Sequence, residues 1–156
     1  MGAITSEHPK CMTEVSYKET ILSHQLSQLV AYGIFDVVIT TGYYDQILVD
    51  YCRSLHLPLK FTFVNNPDYA STNYIYSIYC AREVLRDDDI LLMHGDLVFE
   101  NLVLEAALDC ATSCMAVSST APLPDKDFKA VVEQGRIRQV GIDFLTMPSQ
   151  PSRSTS

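Results

Sequence analysis

The run Leu91-Leu92-Met93-His94-Gly95-Asp96 places a carboxylate directly after a glycine, at the end of a short apolar stretch. Aspartate is a hard oxygen donor, suited to a Mg²⁺ ion shared with substrate phosphates. The glycine lets a ligand approach the backbone. The plainer reading is that Asp96 makes a turn or caps a helix starting near Asn101, and spacing alone leaves both open. Gly42-Tyr43 and Asn65-Asn66 end two other apolar runs in the same way. Lys10, after Pro9, is a point charge able to steady a phosphate, although most lysines in such places are simply solvated. Asn73 and Tyr76 fall where a helix should begin, and free N–H groups there favour anions. The stretch holding Tyr69, Tyr74, Tyr76 and Tyr79 either lines a pocket, even one for a cation, or packs as core. No G-x-x-x-x-G-K-[ST], G-x-G-x-x-G or G-x-S-x-G pattern occurs, which argues against P-loop, dinucleotide-fold and α/β-hydrolase chemistry.

The elements that must position these residues alternate. Apolar residues at helical spacing, with Gly33 as a stop, predict a helix over 19–32. A β-branched run predicts a strand over 35–41, ended by a turn at Gly42. A helix over 44–55 and a strand over 59–64 follow, separated by Pro58. Thr72 or Asn73 is placed to cap a helix over 74–85. The run 90–94 reads as a strand buried on both faces, 101–110 as a helix and 113–118 as a strand. Gln134-Gly135 reads as a hairpin turn between 128–133 and 136–142. This order predicts an α/β fold with three layers around a mostly parallel sheet, whose ligands bind at the C-terminal ends of the strands. No internal repeat is present, and the Ser/Pro-rich end, 146–156, reads as a disordered tail.

The chain has 156 residues, one domain's worth. Hydrophobic residues make up 47% and charged ones 19%, an ordinary globular balance. A net charge of -8, with no basic patch, argues against a nucleic-acid partner. No apolar run reaches the roughly 18 residues that cross a bilayer, so no membrane association is expected. No signal sequence is expected before Lys10, and a cytoplasmic location follows as the expectation. Cys11, Cys52, Cys80, Cys110 and Cys114 are odd in number and form no C-x-x-C pair, so reduced thiols are expected. His8, His24, His56 and His94 lack metal-ligand spacing.

Several separated motifs fit one family. His8-Pro9-Lys10-Cys11-Met12 before a helix, then Val37-Val38-Ile39-Thr40-Thr41-Gly42-Tyr43, resembles the sugar-phosphate nucleotidyltransferase superfamily. Asn66-Pro67-x-Tyr69-x-x-Thr72-Asn73-x-x-Tyr76-Ser77-Ile78 is similar to a signature of its phosphocholine cytidylyltransferase-like branch. Leu92-x-x-Gly95-Asp96-x-x-Phe99 resembles that family's metal-binding strand end, and Asp127-Phe128-Lys129-Ala130-Val131 with Gly135-Arg136-Ile137 its following hairpin. The resemblance implies a Rossmann-like, GT-A-like nucleotidyltransferase domain over 1–145. That domain would be partial. The resemblance also implies transfer of a nucleotidyl group from a nucleoside triphosphate, CTP favoured, to a phosphorylated small molecule, with pyrophosphate released. The acceptor would be phosphocholine or, alternatively, a sugar 1-phosphate. Lys10 would neutralise phosphate charge and Asp96 would hold Mg²⁺. Gly42, Tyr43, Asn66, Asn73, Tyr76 and Gly95 would shape the substrate pocket. The chain departs from the pattern in two places. Met1-Gly2-Ala3-Ile4-Thr5 stands where the family has its first strand and a Gly-rich loop with an arginine, and no second metal-binding acid follows the hairpin. A second reading follows from these departures: a non-catalytic fragment or degenerate homologue that keeps the fold and serves as a binding module.

Overall fold

The computed structural model describes residues 8–118 and 129–141, in two compact units that divide after Asn101. In the first unit, a 3₁₀ turn over Lys10–Met12 leads to a short antiparallel pair, β1 (Glu14–Ser16) and β2 (Glu19–Thr20). Thr20 then caps α1 (Ile21–Ala31). Its hydroxyl accepts from the Ser23 N–H at 3.1 Å, while the Ser23 hydroxyl accepts from the Thr20 N–H at 2.9 Å, so two orphan donors are satisfied reciprocally. Gly33, at φ +74°, ends the helix in the left-handed region, where a side chain is strained.

Next come β3 (Asp36–Thr41), α2 (Asp45–Ser54) and β4 (Lys60–Asn65). The two strands run parallel in register from Asp36 opposite Lys60 to Thr41 opposite Asn65. Residues two apart share a face of a strand. Val37 and Ile39 of β3, with Phe61 and Phe63 of β4, therefore pack together against Leu22, Leu26 and Leu29 of α1 and Leu48 and Cys52 of α2. The two phenylalanine rings stack at 5.7 Å. Burying Leu26, only 2% exposed, contributes about 2 kcal/mol. Helix α3 (Tyr74–Cys80) lies against β3 and β4, and α4 (Arg82–Leu85) follows it.

The second unit contains most of α5 (Asn101–Leu108) and a hairpin of β5 (Lys129–Glu133) and β6 (Arg136–Gly141). Gln134 and Gly135 lie at φ 51° and 73°, the two left-handed residues of a turn whose twist matches the strands. The hairpin expected around these residues is therefore present across its described part. Phe128, Ile142 and the Ser/Pro-rich end lie outside the described residues, as do Met1–Thr5 and Asp127.

The α/β class stands, with one small parallel and two small antiparallel sheets among the described residues. The broad parallel sheet is not among them, for identifiable reasons. Residues 90–94 are not a strand. Leu91 and Met93 pack against the core, while Ile90 and Leu92 stay 52% and 56% exposed. The segment thus has a strand's alternation but is covered on one side, and no ladder partner lies beside it among the described residues. Residues 113–118 are exposed throughout and form no strand either. The helix expected over 74–85 breaks at the buried Ala81, whose φ of -85° and ψ of -1° depart from helical values and separate α3 from α4. No helix among the described residues is long and apolar enough to cross a membrane.

Candidate functional site

The C-terminal ends of the two parallel strands are tied together by side chains. The Thr41 hydroxyl, 5% exposed, donates to the Asp45 carboxylate at the start of α2. Asn65 Nδ2 reaches Thr41 Oγ1 at 3.3 Å and the Gly42 carbonyl at 3.4 Å. Gly42 is required by space. A Cβ there would lie 2.9 Å from Cγ of the Tyr69 ring, closer than atoms pack without displacement. The neighbouring Tyr43 ring is exposed and stands 6.4 Å from Tyr69 and 5.0 Å from Tyr44.

Asn66 is 1% exposed, and its side chain is spent on its own loop. Nδ2 donates to Thr72 Oγ1 and Ser77 Oγ, both at 3.0 Å, and Oδ1 accepts from the Asp68 N–H at 2.9 Å. The residue thus binds the strand end to the start of α3. Asn73 caps α3, its Oδ1 accepting from the Ile75 and Tyr76 N–H groups at 3.1 and 3.4 Å. The cap expected at this position is present, and it occupies donors that an anion would otherwise use. Tyr76 lies against Tyr79 at 5.9 Å, and the Arg82 guanidinium covers the Tyr79 ring at 4.1 Å. One aromatic face of the tyrosine stretch is therefore already taken by a cation of the chain itself.

The turn carrying Lys10 meets the segment carrying Asp96. A Cβ on Gly95 would lie 3.6 Å from the Cys11 Cβ, an ordinary contact. Burial pushes the Cys11 thiol up to about 11, and the Asp96 charge pushes the same way. Lys10 itself is exposed, as are Gly95 and Asp96. The Tyr74 ring meets the His94 ring edge-on at 4.9 Å, bringing the start of α3 to the same place. Lys10, Asn73, Gly95 and Asp96 are thus carried by segments that converge. Gly42 and Tyr43 gather around Tyr69, whereas Tyr76 turns towards Tyr79. Among the described residues, no group of three or more His, Cys, Asp or Glu side chains is arranged to hold a metal ion.

Sequence reasoning missed two residues that bond to the chain on either side of Asp96. Gln25 and Gln28 of α1 are 4% and 7% exposed. Gln25 Nε2 donates to the His94 carbonyl at 2.9 Å and the Leu97 carbonyl at 2.7 Å. Gln28 Nε2 donates to the Phe99 carbonyl at 3.2 Å and to Asn101 Oδ1 at 2.7 Å. The available signal was the presence of glutamines three residues apart among the apolar positions Leu22, Leu26 and Leu29. A buried amide is costly unless it is bonded.

A stretch of 123 residues, 79% of this chain, is 36% identical to CMP-5'-(3-aminopropyl)phosphonate synthase of Streptomyces rubellomurinus and covers 19% of that protein. A stretch of 101 residues, 62% of the chain, is 25% identical to CTP:phosphoglutamine cytidylyltransferase of Campylobacter jejuni subsp. jejuni and covers 38% of it. The chain therefore spans well under half the length of either curated relative. No solved structure matches. These similarities place the chain among relatives of a cytidylyltransferase. The family described as Domain of unknown function (DUF6564) matches residues 6–134, most of the chain, and the protein belongs to that family.

Proposed function

We propose that the chain carries a nucleotidyltransferase site that takes CTP and a phosphorylated small molecule, with phosphocholine the favoured acceptor. The observation that supports this most is the meeting of the Lys10–Cys11 turn with Gly95–Asp96, which sets an exposed cation and a carboxylate on neighbouring segments. In the reaction, a phosphate oxygen of the acceptor attacks the α-phosphorus of CTP. The bond to the bridging oxygen breaks, and pyrophosphate leaves with the electron pair. Such a displacement depends on positioning and charge neutralisation more than on a protein base.

Lys10 neutralises phosphate charge in this reading. Asp96 is a single carboxylate, and Mg²⁺ is commonly held by one or two carboxylates together with substrate phosphates and water. The donor set therefore fits a Mg²⁺ ion that arrives with the triphosphate, and the ion would supply charge stabilisation there. Gly42, Tyr43, Gly95 and Tyr76 border the substrates. Asn66 and Asn73 serve by fixing the loop and helix that border them. In this reading the β3–β4 pair is part of a Rossmann-like sheet, and residues 90–94 pack against the same core outside its ladder. The relatives' names, one for an aminopropyl phosphonate and one for phosphoglutamine, support a small acceptor bearing phosphorus.

The test is pyrophosphate release from CTP, Mg²⁺ and phosphocholine, with phosphoglutamine and a sugar 1-phosphate as further acceptors. Release that falls at least about 100-fold in Lys10→Ala and Asp96→Ala, with melting temperature unchanged, is expected. Absence of release with every nucleotide and acceptor defeats the catalytic reading. A second reading, a nucleotide-binding module without turnover, is favoured by the single carboxylate. Calorimetric CTP binding without pyrophosphate release identifies it.

A further inference from the structure

We infer that Gln25 is a positioning residue for Asp96, acting by clamping the backbone on both sides of it. This rests on the reading of Asp96 as the carboxylate that meets the metal–nucleotide complex. The segment from Ile90 to Glu100 belongs to no ladder or helix among the described residues, so its carbonyls need partners from elsewhere. Gln25 has two amide hydrogens on Nε2, and both are used, on His94 and Leu97. Those carbonyls bracket Gly95-Asp96, so one buried amide closes the arc that presents the carboxylate. Gln28 continues the grip one helical turn later, on Phe99 and Asn101. Packing alone would favour an apolar residue at position 25, since it lies between Leu22 and Leu29 of the core face. The amide is retained at a site where an apolar side chain would fill the same space, and its whole donor capacity goes to this arc.

The experiment uses the full chain and Gln25→Met, which keeps the side-chain length and removes both donors. Hydrogen exchange is followed by mass spectrometry on peptides covering residues 94–100 and, as a reference, 36–41. Binding of Mn²⁺ with CTP is followed by calorimetry. Exchange is expected to quicken in 94–100 and hold steady in 36–41, with Mn²⁺–CTP affinity falling roughly tenfold or more, as for lost outer-shell partners of metal ligands. Leu26→Ala is the structural control. It lowers the melting temperature next to Gln25 and is expected to leave low-temperature affinity near wild type. Asp96→Ala reports on the underlying reading. If Asp96→Ala weakens binding and Gln25→Met changes neither exchange nor affinity, the clamp is overturned and the site survives. If Asp96→Ala has no effect, the site reading fails and takes the positioning role with it. Should Gln25→Met not fold, Gln25→Asn carries the test, because its shorter side chain cannot span both carbonyls. Wild-type exchange and affinity in that variant likewise overturn the clamp.

Discussion

Replacing Asn66 by alanine distinguishes a residue that holds the loop from one that touches a ligand. The side chain makes three hydrogen bonds, at 3.0, 3.0 and 2.9 Å, in surroundings where it is 1% exposed. At about 1 kcal/mol net for each bond, the loss comes to about 3 kcal/mol. A domain of this size loses roughly 2–4 °C of melting temperature per kcal/mol, so a fall of about 6–12 °C is expected. Thermal unfolding followed by circular dichroism measures the fall, and CTP titration of the folded protein at low temperature measures binding. Asn66→Asp sharpens the test. It keeps an acceptor for the Asp68 N–H, loses both donors and buries a charge. It should melt no higher than Asn66→Ala at neutral pH and recover as the pH is lowered and the carboxyl is protonated. A variant that melts within about 1 °C of wild type yet fails to bind CTP would refute the reasoning, because the amide would then have been facing a ligand.

Gly42→Ala forces the Tyr69 ring off its 2.9 Å approach, and an overpacking cost of about 1–3 kcal/mol is expected in chemical denaturation. Thr20→Val removes both the capping bond to Ser23 and the 2.8 Å bond to the Tyr51 hydroxyl. It should cost about 1–2 kcal/mol, seen as a lower melting temperature. Timed alkylation at pH 8 with peptide mass mapping should label the exposed Cys110 and Cys114 well before Cys52, which is buried and has its pKa raised to about 11. Burial, and secondarily Cys11, holds the Cys52 thiol protonated in the folded chain while the unfolded thiol titrates near its ordinary value of 9.0. This contribution to stability is therefore intact below about pH 9 and is lost as the pH rises towards 11; a denaturation midpoint that is flat across that range contradicts the assignment.

What could be read from the sequence follows from how local each signal is. The α1 helix, Gly33, the Asn73 cap and the Gln134-Gly135 turn are each decided within a few residues, and each is where the sequence puts it. Residues 90–94 show the limit. An apolar run says that the segment packs against something, but a strand also needs a partner in register, and that partner is remote in sequence. The site divides the same way. Gly95-Asp96 is visible as a type and a position, and so is Lys10. The use of Asn66 is not visible, because an asparagine after a strand serves a loop or a ligand equally well until its neighbours in space are known. Tyr69 beneath Gly42 and Gln25 beneath Gly95-Asp96 were hidden for the same reason, since each acts on a residue far along the chain.

The Gln25 bonds also bear on the order in which the first unit assembles. Its bonds join residues 69 and 72 positions apart, and Gln28 reaches 71 and 73. Closing loops of that length is entropically slow compared with forming α1 or pairing β3 with β4. A nascent chain that has assembled those elements still lacks the arc at Asp96. Protection of residues 94–100 from hydrogen exchange during refolding should therefore lag behind recovery of helical signal, and that protection would be a report that the remote end of the first unit has come home.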